Sequence, residues 1–185
     1  QAPYIHRLFR DVFTGVDTRQ KKAIPINELH TLLYKDPQSE KLRRTQAIAN
    51  LLFLFFGMPF ADLAHLEKSN LEGNIFKTGT PMSIEILESA SCIVSRLRNT
   101  HSAVLPEHPD YLFYILSGKN KRDDEAAYIE YQSTLRRFNN DLKSLAKKLR
   151  IHSSVTSYTF RHSWATTAKY RGVPIEMISE SLGHK

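Results

Sequence analysis

Residues 157–185 read SYTFRHSWATTAKYRGVPIEMISESLGHK. Arg161 and His162 open a helix whose later residues, Ala165, Thr166, Thr167 and Ala168, are small. Such a helix can pack tightly in a core while its first turn faces outward. Gly172 closes it, Pro174 opens a second helix, and that helix delivers Gly183 and His184 at its end. An arginine at a helix N-terminus offers a planar fork to a phosphate, helped by the N–H groups that lack an intrahelical partner. Two helix ends would then bring Arg161 and His184 to one anion. On the residues alone a plainer alternative stays open, a structural ion pair for Arg161 and a helix cap for His184.

Working outward, residues 124–149 carry Tyr128, Tyr131, Leu135, Phe138, Leu142, Leu145 and Leu149 at three- and four-residue steps, the pattern of one long amphipathic helix. Lys143, Lys147, Lys148 and Arg150 crowd its end, where cations suit the helix dipole. Pro25 marks another helix start, with Ile26, Leu29, Leu32 and Leu33 spaced for one buried face and Asp36-Pro37 as its stop. A helix over 39–56 follows, with Ser39 as its cap. Its second half is apolar all round, which predicts a central place in the core, and Gly57 ends it. A short helix is expected over 60–66. Residues 70–86 combine Gly73, Gly79 and Pro81 with β-branched residues and read as a small strand–turn–strand unit. Residues 87–99 return to helix, 111–116 fit strand or helix, and 118–124 form a polar turn. The expected fold is mainly α with a small antiparallel β-sheet.

The chain has 185 residues, enough for one domain, or two small ones, with a real core. At 41% hydrophobic and 24% charged it is neither disordered nor fibrous. No run of about 18 apolar residues is free of polar interruption, so no membrane span is expected. The opening lacks the apolar core of a secretory signal and begins without methionine, which reads as the middle of a longer chain. A single cysteine, Cys92, excludes an internal disulfide framework and a multi-cysteine zinc site, and fits a reducing cytoplasm. Lys and Arg number 26 against 19 Asp and Glu, a formal charge of +7 that favours polyanion partners, nucleic acid first among them.

These motifs resemble those of the tyrosine recombinases, the phage-integrase family. The second half of the family's His-x-x-Arg box and its Leu-Gly-His box are matched by TFRHSWATTAKYRGVPIEMISESLGH. GMPFADLAHLEKSNL, over 57–71, resembles the first box, with Asp62, Leu63 and Leu66 at its Glu-Leu-Leu positions. KTGTP, from Lys77, resembles the hairpin that carries the catalytic lysine. FTGVDTRQKKAIPINELHTLL resembles the linker and first helix of integrases from mobile elements of Bacteroides-type bacteria.

The resemblance implies a tyrosine recombinase catalytic-domain fold over 24–185. Residues 1–23 would be the linker or arm from a core-binding domain that precedes it. It implies site-specific recombination of double-stranded DNA: a tyrosine hydroxyl attacks the scissile phosphate, giving a 3′-phosphotyrosine and a free 5′-hydroxyl. The bond energy stays in the covalent link, so no cofactor, ATP or metal ion is implied. Arg161 matches the second catalytic arginine and His184 the third-box histidine, both on the non-bridging oxygens. Lys77 matches the general acid for the 5′-oxygen. Tyr158 stands where the family has the histidine of His-x-x-Arg; it either faces the phosphate or packs at the helix start. Asp62 either orients an active-site group or faces solvent, and His162 and Trp164 read as supporting residues. The family works as a homotetramer on DNA, in the bacterial cytoplasm with the nucleoid.

Three departures stand out. The first-box arginine is replaced by Pro59, with Arg96, Arg98 and Lys68 as candidates to supply its charge from elsewhere. Only three residues separate Gly73 from Lys77, where the family has a longer strand. That is either a deletion or a stretch absent from this sequence. Last, the family's nucleophile follows Leu-Gly-His by roughly ten residues, and none of the tyrosines stands in that place; this sequence is therefore expected to be inactive without a further tyrosine. Two other readings follow: a degenerate recombinase that binds DNA without cutting it, and a regulator using the last two helices as a helix–turn–helix. No carboxylate cluster suggests a metal-dependent nuclease.

Overall fold

The computed structural model describes residues 23–72, 75–77, 83–102, 111–117 and 124–183. Its elements run α1 (Ile26–Tyr34), α2 (Glu40–Leu54), α3 (Phe60–Ala64), a 3-10 turn (Lys68–Asn70), β1 (Leu71–Glu72), β2 (Ile75–Lys77), β3 (Ser83–Glu85), α4 (Glu88–Ser102), α5 (Glu125–Lys148), α6 (Thr159–Tyr170) and α7 (Ile175–Ser181).

Helix α2 is the centre of the molecule, packed against α1, α4, α5 and α6. The apolar run of its second half is the cause: Ala47, Ile48, Ala49, Leu51, Leu52 and Phe55 are all buried. Phe53, Leu54 and Phe56 are half-buried and pack on the rim of that core. Across the α3–α5 contact Phe60 stacks on Phe138, centroids 4.7 Å apart and rings 16° from parallel. Polar side chains of α2 also fasten α1. The last carbonyls of a helix lack intrahelical donors. Gln46 Nε2 donates to the carbonyls of Leu32 and Lys35, and Asn50 Nδ2 to that of Leu33, each at 2.8 Å. One turn apart on α2, these two amides complete the end of α1.

The helix boundaries follow the sequence closely, with two corrections at first turns. Ser39 is the N-cap residue of α2 but its side chain makes no cap hydrogen bond. Arg43 instead grips Asp36 through Nε and Nη2 at 2.9 and 3.0 Å, which fixes the turn into α2. Ile26 and Tyr128 are 66% and 62% exposed, not buried. Both stand in a first helical turn that overhangs its neighbours, where periodicity extends further than the packing does.

Residues 70–86 hold three short antiparallel strands in the order β1-β2-β3, one more than a strand–turn–strand unit. Leu71 faces Phe76, Phe76 faces Ile84, and Lys77 faces Ser83. Residues 111–116 are neither strand nor helix. Tyr111 makes one bridge with Glu67, and the chain then turns. The polar turn expected over 118–124, apart from its last residue, and the arm expected over 1–23, apart from its last residue, lie outside the described residues. Among the described residues no helix is long and apolar enough to cross a membrane.

Candidate active site

The start of α6 is held from three directions. Asn139 of α5 accepts from the Ser157 N–H at 2.8 Å, and Thr159 Oγ1 accepts from the Thr156 N–H at 2.9 Å. These two bonds satisfy backbone donors just before the helix, where donors would otherwise be left over. Phe160 is fully buried and anchors the first turn in the core. Ser163, also buried, accepts from the Ile24 N–H at 3.3 Å. The small residues after it let α6 lie against α2, where Trp164 meets Phe56 edge to face at 5.5 Å.

Arg161 projects from this anchored turn and is half-buried. Its Nη1 donates to the Gly57 carbonyl at 3.3 Å, and its Nη2 donates to the Leu182 carbonyl. Gly57 follows the C-terminus of α2, and Leu182 is the C-cap of α7. Both carbonyls therefore come from the ends of helices where the backbone dipole is negative. That field suits a guanidinium and sets the plane of its fork. Among the described residues Arg161 makes no ion pair; neutral carbonyls hold it.

Of the other residues picked out by sequence, Tyr158 is the N-cap residue of α6, with its side chain making no cap bond. It is 45% exposed, and its ring stands edge-on to His162 at 4.7 Å. Tyr158 and Arg161 thus share one helix start, a turn apart. Lys77 ends β2, on the separate hairpin. His184 lies outside the described residues. Asp62 is exposed on α3, and its charge, after burial, helps push the Tyr131 phenol above its ordinary range. Pro59 is the N-cap residue of α3 and brings no charge beside Gly57.

The three candidates for the missing cation differ in place. Arg96 lines a cleft of about 470 Å³ between α2 and α4 with Glu40, Lys41, Arg43 and Arg44. Arg98 is exposed on α4 and Lys68 is exposed in the 3-10 turn. Sequence reading passed over Arg44, whose Nη2 donates to the Tyr114 carbonyl at 2.7 Å. Arg44 and Arg137 line a second cleft, about 280 Å³, between α2 and α5. Burial, and then the charge of Arg137, lowers the Arg44 pKa. Sequence reading also passed over the carbonyl partners of Arg161. A backbone carbonyl has no signature in a sequence, although Gly57 and Leu182 both fall in the segments that resemble the family's boxes. Among the described residues no group of three or more His, Cys, Asp or Glu side chains could hold a metal ion.

No protein-family model matches the chain, and no curated protein matches it. Among solved structures it is similar to the crystal structure of XerA recombinase, at 23% identity and a TM-score of 0.65. The match covers 88% of this chain and 56% of XerA, so the chain spans little more than half the length of that protein. The mainly helical architecture that carries Arg161 at a helix start is thus a fold shared with XerA recombinase.

Proposed function

We propose that residues 24–185 are the catalytic domain of a tyrosine recombinase that cuts and rejoins double-stranded DNA, an integrase of a mobile element. One observation carries the reading. Arg161, from the segment resembling the second box, bonds to Gly57 of the first and to Leu182 of the third. A distant first-box segment and the two boxes of the last stretch thus meet at one guanidinium. The shared fold with XerA recombinase supports the same reading.

In this mechanism the N–H donors of Arg161 not used by the two carbonyls bind the non-bridging oxygens of the scissile phosphate. His184 adds a hydrogen bond to the same phosphate, and the exposed phenol of Tyr158 donates a further one. Lys77, from the hairpin, protonates the leaving 5′-oxygen. The nucleophile is a tyrosine at the family's place beyond the Leu-Gly-His segment. Such a site stabilises charge on the phosphorane with side-chain cations; each charged donor is worth about 2.7–4 kcal/mol by analogy with an oxyanion-hole donor. Pro59 removes one of these donors, so a slow enzyme is expected. Residues 1–23 would link the domain to a preceding core-binding domain, and the assembly on DNA would be a homotetramer.

The test is covalent. The intact protein is incubated with nicked duplexes bearing its attachment site in excess chelator, then analysed by denaturing gel and mass spectrometry. A protein–3′-phosphate adduct at a tyrosine is the expected result. Pro59 and Tyr158 give weight to a second reading, a degenerate recombinase. It predicts duplex binding that is sensitive to Arg161→Ala but yields no adduct.

A further inference from the structure

We infer that Gly57 is the positioning residue for Arg161, and that its missing side chain is what seats the guanidinium. This rests on the reading of Arg161 as the phosphate ligand and adds the element that aims it. A Cβ at Gly57 would lie 2.8 Å from the Arg161 Cα and 3.3 Å from its Cγ. The first distance is shorter than real contacts allow, and the atom met is backbone, which cannot swing aside. With glycine there, the first turn of α6 closes onto the end of α2, and the Gly57 carbonyl reaches Nη1. The neighbouring contact of Phe56 with Trp164 keeps the two helices in that register.

Gly57 also has a positive φ of +68°, so conformational freedom alone could explain a glycine. The molecule contains its own control. Gly172, at the end of the same helix α6, has a φ of +80°, yet a Cβ added there meets nothing within 4 Å. Alanine at either position incurs left-handed strain. Only at Gly57 does it push on Arg161.

The experiment uses the intact protein with Gly57→Ala, Gly172→Ala, Arg161→Ala and the double variant Gly57→Ala/Arg161→Ala. Gly57→Asn is added because asparagine tolerates a positive φ while still carrying the Cβ. The first readout is the ¹⁵N-edited Nε–H resonance of Arg161, identified by its loss in Arg161→Ala. Gly57→Ala and Gly57→Asn are expected to shift it and speed its exchange with solvent, while Gly172→Ala leaves it in place. An unmoved resonance in a folded Gly57 variant overturns the proposal. The second readout is affinity for a 30-base-pair duplex against salt concentration. Arg161→Ala is expected to lower affinity about tenfold and to reduce the log–log salt slope by about 1. Gly57→Ala should lower affinity three- to tenfold, and the double variant should be no weaker than Arg161→Ala alone. Additive losses would mean that Gly57 acts on DNA binding by some other route, and the proposal fails. A moved resonance with duplex affinity unchanged in Arg161→Ala would leave the positioning intact and bring down the phosphate reading instead.

Discussion

The two halves of α2 present arginines in opposite ways. At its C-terminal end, Arg161 reaches across from α6 and is held by the carbonyls of Gly57 and Leu182. Toward its N-terminus, Arg44 belongs to α2 itself and is turned into a cleft where burial and the charge of Arg137 both work against its own charge. One guanidinium is gripped by two helix-end carbonyls, the other is crowded by burial and a like charge. A cation aimed by backbone dipoles is ready for an anion without rearrangement. A cation stowed in a cleft and spent on the Tyr114 carbonyl serves to pin the 111–117 segment against the helices. The same residue type is thus held by helix-end carbonyls at one end of a helix and buried in a cleft at the other.

The largest effect that could break this contrast is on strand cleavage. Arg161→Ala should lower the rate of adduct formation on nicked duplex by about 10²–10³-fold, the loss typical of one preorganised donor. Arg161→Lys should recover little of it, because a point charge cannot reproduce the fork between two carbonyls and a phosphate. Arg44→Met should leave the rate within a factor of about two. Equal losses at the two positions would remove the distinction.

Next in size is the packing that holds both regions on one frame. Phe138→Ala removes the partner of Phe60 and a buried ring of α5. It should cost about 3–5 kcal/mol in urea unfolding. Leu135→Ala, at a half-buried position on the same helix, should cost clearly less. Similar costs at the two would mean that the α5 contact is not the keystone of this frame.

Much of this frame was legible beforehand. The period of α5 gave its length almost to the residue, and Pro25, Gly57, Gly172 and Pro174 marked helix ends correctly. Those signals are local and strong: a repeat of 3.6 residues, a missing N–H, a positive φ. Ile26, Tyr128 and the Ser39 side chain were misread because burial and capping depend on what lies opposite, which a single segment does not encode. At the candidate site, Arg161 and Tyr158 were visible as side chains at a helix start. The carbonyls that hold Arg161, and the Asn139 amide that completes the turn before it, were not. Their roles are set by long-range approach between α2, α5, α6 and α7, and neither a carbonyl nor one asparagine in a long helix announces a partner.

A smaller effect sharpens the description of the cleft between α2 and α5. If Arg137 burdens Arg44, then Arg137→Gln should raise unfolding stability slightly, by roughly 0.5 kcal/mol, since like charges in one cleft repel. The Arg44→Gln change should lower it by about 1–3 kcal/mol by leaving the Tyr114 carbonyl without that donor. Opposite signs from two arginines lining one cleft would show that Arg44 is there for the carbonyl. Losses of the same sign would show that the pair acts together, and the contrast with Arg161 would weaken.

The smallest effect concerns the acid side of the stability curve, where carboxylates that clamp backbone and turn lose their charge. Glu28 on α1 accepts from the N–H groups of His152 and Ser153, at 3.3 and 3.2 Å, and so joins α1 to the turn before α6. Its carboxyl is held below the ordinary carboxylate range, first by a hydrogen bond from the Ser153 side chain, which with these backbone donors outweighs the opposing desolvation. Asp36 is likewise held low, mainly by Arg43. For a group whose folded pKa lies below its unfolded value, the stabilisation is complete above the unfolded pKa and is lost as pH falls through the folded one. Stability should therefore be flat in this contribution above about pH 5 and decline below it. Glu28→Gln should flatten part of that decline, with little change at pH 7 beyond the weaker acceptor strength of an amide. Urea midpoints at pH 7, 5, 4 and 3 would read this directly. A variant that keeps the full wild-type slope below pH 5 would mean that Glu28 does not clamp the turn before α6. The anchoring of the α6 start would then rest on Asn139, Thr159, Phe160 and Ser163.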